Sequence, residues 1–180
     1  MKKILKFLML PMTCLILGLG LALTNAFTKP VIADINLKLA TEARQEALPS
    51  ASSFEELSGV FPEGVKSIYR GSGGEGIAVE LTVKGYGGDM NMMVGIDPNG
   101  NVARVKIVSA AETAGVGAKT YERDFLDRYD GRTGPLTAVK GEVGGENQIA
   151  AISGATVSSK AVTSGVNLAL EAFEQVKEEL

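Results

Sequence analysis

At 180 residues the chain has room for one ordinary domain plus a short accessory element, and 45% apolar with 22% charged residues is the composition of a folded protein. A net charge of -3, with acidic and basic residues interspersed, gives no reason to expect nucleic acid as a partner. The absence of histidine and the single Cys14 exclude imidazole acid–base catalysis, histidine metal sites, an internal disulfide and a thiolate-ligated iron–sulfur cluster. Redox chemistry, if any, must therefore come from a bound organic cofactor, and neither a catalytic residue nor a metal-ligand set is assigned.

The chain opens with Lys2, Lys3 and Lys6, followed by an uncharged, mostly apolar run from Phe7 to Phe27 that ends before Lys29 and Pro30. A run of about 20 residues is long enough to cross a hydrocarbon core of ~30 Å. Because the lysines precede it, the N-terminus is expected to stay cytoplasmic, the run to cross the inner membrane as a single pass, and the rest of the chain to lie on the extracytoplasmic side. The alternative is a cleaved signal, with Thr24-Asn25-Ala26 as a weak cleavage site. An apolar core longer than the usual ~7–15 residues of a signal favours a retained anchor.

Pro30 can open a helix at its first turn. Ile32, Ile35, Leu39, Ala43 and Ala47 then recur at helical spacing until Pro49, which reads as a stalk leaving the bilayer. Ser50-Ala51-Ser52-Ser53 reads as a linker. The expected organisation is residues 1–29 as cytoplasmic N-terminus and anchor, 30–53 as stalk and linker, and 54–180 as the domain proper.

In that domain, Ile77, Val79, Leu81 and Val83 alternate with Ala78, Glu80, Thr82 and Lys84, the period of a half-buried strand. Met90, Met92, Val94 and Ile96 repeat it; the methionines are expected in the core. Asp97-Pro98-Asn99-Gly100 carries the residues of a tight turn, and Ala103, Val105 and Ile107 continue into a returning strand. A short helix is expected from Tyr121 to Tyr129. The stripe Val162, Val166, Ala169, Phe173, Val176 and Leu180 predicts a long final helix. The fold class is α+β: a small antiparallel sheet flanked by helices, behind one transmembrane helix.

Gly71-Ser72-Gly73-Gly74-Glu75-Gly76 looks like a dinucleotide fingerprint but precedes a strand instead of a helix, so it reads as a turn. Ser153-Gly154-Ala155-Thr156-Val157-Ser158-Ser159 opens the final helix. Its hydroxyls are good helix caps, and it needs no further role on composition alone. The same position also suits a phosphate, because free N–H groups and the positive end of the helix dipole meet there. Gly154 would admit close approach, and Thr156 offers a hydroxyl that can be esterified.

Ser153-Gly154-Ala155-Thr156 with Val157-Ser158-Ser159 and Ala161-Val162 resembles the attachment motif of the FMN-binding domain family. That family includes the G subunit of Rnf-type electron transport complexes, nearer to this chain in length, and the C subunit of sodium-pumping NADH:quinone reductases. Glu112-Thr113-Ala114-Gly115-Val116-Gly117-Ala118-Lys119 is similar to the family's Glu-Thr-Pro-Gly-x-Gly loop, with Ala114 in place of proline. Gly85-Tyr86-Gly87-Gly88 and Val94-Gly95-Ile96-Asp97 match the strand pair before it. The family usually has Asp three residues ahead of the motif's first Ser or Thr; here that residue is Ala150.

The resemblance implies FMN held through a phosphoester on Thr156. Ser153, Gly154, Ala155, Val157, Ser158, Glu112, Thr113, Gly115, Gly117 and Lys119 would form the rest of the cofactor site. It further implies a role as an electron-transfer subunit, not catalytic alone, of a membrane-bound ferredoxin:NAD+ oxidoreductase coupling electron flow to Na+ or H+ translocation. The implied partners are the other subunits of that complex and a flavin transferase for maturation. Two other readings stay open: a flavinylated domain of another extracytoplasmic reductase, and an anchored anion-binding module without redox chemistry.

Overall fold

The computed structural model describes residues 2–179, so Leu180 of the expected stripe lies outside the described residues. Two compact units are present, residues 1–40 and Thr41–Leu180. Helix α1 (Lys2–Ala47) runs uninterrupted through Pro11 and Pro30. This corrects the expectation that Pro30 starts a second helix. A proline interrupts one backbone hydrogen bond but does not forbid continuation. Threonine hydroxyls just before Pro30 fold back onto the helix, Thr24 to the Gly20 carbonyl at 2.9 Å and Thr28 to the Thr24 carbonyl at 2.8 Å. The stretch from Pro11 is long and apolar enough to span a membrane, by length and composition.

In the second unit five antiparallel strands form a simple meander in chain order: β1 (Phe54–Leu57), β2 (Val65–Gly71), β3 (Ile77–Lys84), β4 (Asp89–Ile96) and β5 (Val102–Ala110). The alternation expected for β3 and β4 is met: Ile77, Val79, Leu81, Met90, Met92, Val94 and Ile96 are all fully buried in one core with Ile68 of β2. β5 departs from it. Ile96 pairs with Val102 and Gly95 with Arg104, which leaves Ala103 unpaired in a bulge. Val102 therefore takes the buried place expected for Ala103.

The β4–β5 turn is tied by its aspartate. Asp97 Oδ1 accepts the Asn99 and Asn101 N–H groups at 2.9 and 2.8 Å, and Oδ2 accepts the Asn101 side-chain amide at 2.9 Å. Burial pushes the Asp97 carboxyl up, but these hydrogen bonds outweigh it and hold the group below its ordinary value of 3.8. The stabilisation is therefore complete above that ordinary value and fades as pH falls through the lowered one. Acid unfolding followed by circular dichroism is expected to show a smaller loss of stability below the ordinary value in Asp97→Asn than in the parent protein.

Helix α3 (Thr156–Val176) covers the buried face of the sheet with Val162, Val166, Ala169, Phe173 and Val176, as the stripe predicts. Gly165 permits that approach, since a Cβ there would meet Met92 Sδ at 2.4 Å. Between β5 and α3 lie a 3-10 turn (Gly117–Tyr121), the short helix α2 (Arg123–Leu126), a second 3-10 turn (Asp127–Tyr129) and a parallel pair, β6 (Thr137–Val139) and β7 (Gln148–Ala150). The helix expected over residues 121–129 is thus broken into short turns. Their apolar members Phe125, Leu126 and Tyr129 are buried, and the Tyr129 hydroxyl shares a 2.7 Å hydrogen bond with Thr163 of α3.

The opposite face of the sheet carries Tyr69, Ala78 and Met93, and the last turns of α1 pack there through Ala43 and Ala47. Arg44 stacks on the Tyr69 ring, 3.8 Å from its centre. Glu46 pairs with Lys106 at 2.6 Å. Residues 50–53 are not a free linker: Ala51 is buried, and Ser52 and Ser53 are bonded to Ser72.

Candidate functional site

The start of α3 sits at the end of the β6–β7 unit. Residue Ala155 occupies the cap position, and no side chain caps the helix. This differs from the expectation that the Ser/Thr run supplies caps. The hydroxyls turn inward instead: Ser159 Oγ accepts the Ile152 N–H at 3.0 Å and donates to the Ala155 carbonyl at 2.9 Å, and Ser158 is buried. The first-turn amides are thereby left without a side-chain acceptor at the positive end of a 21-residue helix. Gly154 precedes the cap with φ +83°, a conformation that favours glycine.

The second wall comes from the loop after β5. The Glu112 carboxylate is threaded between two glycines: a Cβ on Gly85 would lie 2.2 Å from Oε1, and one on Gly117 would lie 2.8 Å from Oε2. Oε1 accepts the Tyr86 N–H at 2.7 Å and so joins the β3–β4 loop to the β5 loop. Oε2 is buried and has no hydrogen-bond partner among the described residues. Burial, and then the Glu112 charge, raise the Tyr121 hydroxyl above its ordinary pKa. An unsatisfied buried acceptor costs about 1–3 kcal/mol, a cost offset when a donor arrives.

Between these walls lies a cavity of about 410 Å³, lined by Tyr86, Thr113, Val116, Gly117, Gly154, Ala155, Val157 and Ser158. Of the residues singled out in the sequence, Thr113, Gly117, Gly154, Ala155, Val157 and Ser158 meet here. Thr156 lies between two lining residues and is half-buried, while Glu112 stands behind Gly117. Gly115 shapes the loop with φ +87° but does not line the cavity. Ser153 and Lys119 instead line a neighbouring cavity of about 350 Å³ with Phe125 and Arg128. Arg128 donates to the carbonyl of Ala150 at 2.7 Å. Sequence reasoning did not assign Tyr86 and Val116. An aromatic residue flanked by glycines in a loop was the available signal for the first.

The residues present fit a phosphate-bearing aromatic group. Free amides and a glycine with positive φ suit the phosphate, and three exposed apolar side chains, Tyr86, Val116 and Val157, suit a ring system. Two cavities of about 470 Å³ each flank the other end of α3, around Asn99 and Phe173. They lie at its negative end and carry Glu174, which opposes a phosphate.

The FMN-binding domain family matches residues 85–171, which run from the β3–β4 loop through most of α3 and hold both walls of the cavity. The G subunit of the Na(+)-translocating ferredoxin:NAD(+) oxidoreductase complex of Acetobacterium woodii is 36% identical over 87% of this chain and 84% of its own length. Its counterpart in the proton-translocating ferredoxin:NAD(+) oxidoreductase complex of Clostridium ljungdahlii is 33% identical over 93% and 88%. The crystal structure of NqrC from Shewanella oneidensis shares the fold, with a TM-score of 0.53 and 15% identity over 76% of this chain and 72% of that one. The chain belongs to the FMN-binding domain family, among the G subunits of ion-translocating oxidoreductase complexes.

Proposed function

We propose that this chain is the covalently flavinylated electron-transfer subunit of a ferredoxin:NAD+ oxidoreductase complex that couples electron flow to Na+ or H+ translocation. One observation carries the reading: the cavity joins the loop of residues 113–117 to the uncapped start of α3 at residues 154–158. When bound, FMN supplies one- and two-electron transfer. The amides at the start of α3 would receive its phosphate, with Gly154 allowing the close approach. The Thr156 hydroxyl would form the ester that retains the group irrespective of affinity. Tyr86, Val116 and Val157 would keep water from its ring, and Glu112 would hold the two loops in register. The chain would act only with its partner subunits, after modification by a flavin transferase.

A simple observation tests the assignment. The purified protein is expected to run as a yellow-fluorescent band after full denaturation, because an ester survives unfolding and a dissociable flavin does not. A denatured band without fluorescence would mean that no ester holds the flavin.

Residues 1–29 would anchor the chain, 30–53 would lead from the bilayer into the domain, and 54–180 would carry FMN. The N-terminal lysines would keep the N-terminus in the cytoplasm and put the FMN domain outside it. In intact cells Ser109→Cys, at an exposed site, is expected to react with an impermeant thiol reagent. Labelling of Ser109→Cys only after lysis would reverse the topology.

A further inference from the structure

From the position of Tyr86 we infer that its phenol ring is the aromatic face against which the isoalloxazine ring rests, and that Glu112 is the positioning residue that sets it there. The inference rests on the flavin reading above. Tyr86 is 69% exposed and lines the cavity. Its backbone is not free: Glu112 Oε1 accepts its N–H at 2.7 Å, and Gly85 N–H bonds to the Gly88 carbonyl at 2.8 Å.

The surrounding glycines show that this latch is built. A Cβ on Gly87 would lie 1.9 Å from the Ala111 carbonyl oxygen, so the Tyr86 loop is seated directly on the strand end that bears Glu112. A Cβ on Gly85 or Gly117 would collide with the carboxylate itself. Two glycines, Gly85 and Gly117, therefore make room for one carboxylate whose only hydrogen-bonded partner among the described residues is the amide of Tyr86. The outcome is a fixed backbone under an exposed ring, beside the apolar Val116 and Val157 of the same cavity.

Fluorescence reads this arrangement directly. An excited flavin takes an electron from a phenol ring in contact with it and returns it without net chemistry, so its emission is quenched. Phenylalanine, of nearly the same shape, is too poor an electron donor to do this. The chain has no tryptophan and four tyrosines, of which Tyr69 and Tyr129 are buried in the two cores. The experiment uses the full-length flavinylated protein, with bound flavin quantified by absorbance in every sample.

Tyr86→Phe is expected to retain its flavin and to lengthen the emission lifetime severalfold. Glu112→Ala is expected to lengthen it similarly, and Glu112→Gln, whose amide oxygen still accepts the Tyr86 N–H, to restore the short lifetime. Tyr121→Phe is the comparison and is expected to keep the short lifetime. A flavinylated Tyr86→Phe with the parent lifetime, or release of quenching by Tyr121→Phe alone, overturns the aromatic assignment and leaves the flavin reading intact. A short lifetime in Glu112→Ala overturns the positioning role. A parent protein without flavin overturns the inference together with the reading it rests on.

Discussion

Thr156→Ala is expected to yield a folded, membrane-bound and colourless protein. The change removes a hydroxyl and a methyl group from a half-buried side chain, and the fold does not depend on that hydroxyl for a cap. Ala155, not Thr156, occupies the cap position, and no side chain caps the helix. The ~1 kcal/mol ordinarily lost with a capping hydroxyl therefore does not apply. The core beneath α3 is held by Val162, Val166, Ala169 and Phe173, well beyond the first turn. Thermal unfolding of Thr156→Ala should lie close to that of the unmodified parent, while flavin absorbance falls to zero. Thr156→Ser keeps the oxygen and should be partly modified. A colourless protein that no longer folds would mean the residue is structural.

The second large effect is expected at Gly95, far from the cavity. Gly95 lies in β4, paired with Ala78 and Arg104, on the sheet face covered by the last turns of α1. A Cβ there would stand 1.9 Å from the Ala47 carbonyl oxygen and 2.6 Å from its carbon. The obstacle is backbone and cannot rotate away, so the helix end must lift from the sheet. Overpacking of this kind costs about 1–3 kcal/mol. Gly95→Ala should unfold at lower denaturant and show faster amide exchange over residues 43–48. Gly145→Ala, with nothing within 4 Å of the added carbon and no positive φ, should leave both unchanged. Equal stability of the two variants would show that α1 is not seated on this face.

The sheet's centre was legible because its signal is local. The alternation along residues 77–84 and 90–96 is the period of the pleat itself, and Asp97-Pro98-Asn99-Gly100 supplies the turn chemistry between β4 and β5. The stripe of α3 was legible for the same reason. Strands β1, β6 and β7 were not. β1 is four residues long with Glu55 and Glu56 in its middle, as befits an edge, and β6 and β7 have three residues each. Such strands exist through their partners and carry too few residues to show a period. The continuation of α1 through Pro30 and the docking of Ala43 and Ala47 were likewise decided by what surrounds them.

At the site, the two glycine-rich motifs were visible as sequences but their meeting was not. The chain between Gly117 and Gly154 contains two 3-10 turns, a helix and a parallel strand pair, and nothing local in it says where it returns. The inward turn of Ser158 and Ser159 was hidden for a similar reason, since the same residues make good caps in an exposed helix. The glycines around Tyr86 are visible in the sequence, yet its place on the cavity depends on Glu112, 26 residues away.

Peptide mapping by mass spectrometry measures the covalent bond at Thr156 directly. The protein, purified from its own membranes and cut after lysine, yields a peptide covering residues 141–160 that contains Ser153, Thr156, Ser158 and Ser159. This peptide is expected to carry the mass of one FMN less water, with fragmentation placing it on Thr156. An unmodified peptide, or an adduct placed on Ser153 or elsewhere, would contradict the assignment.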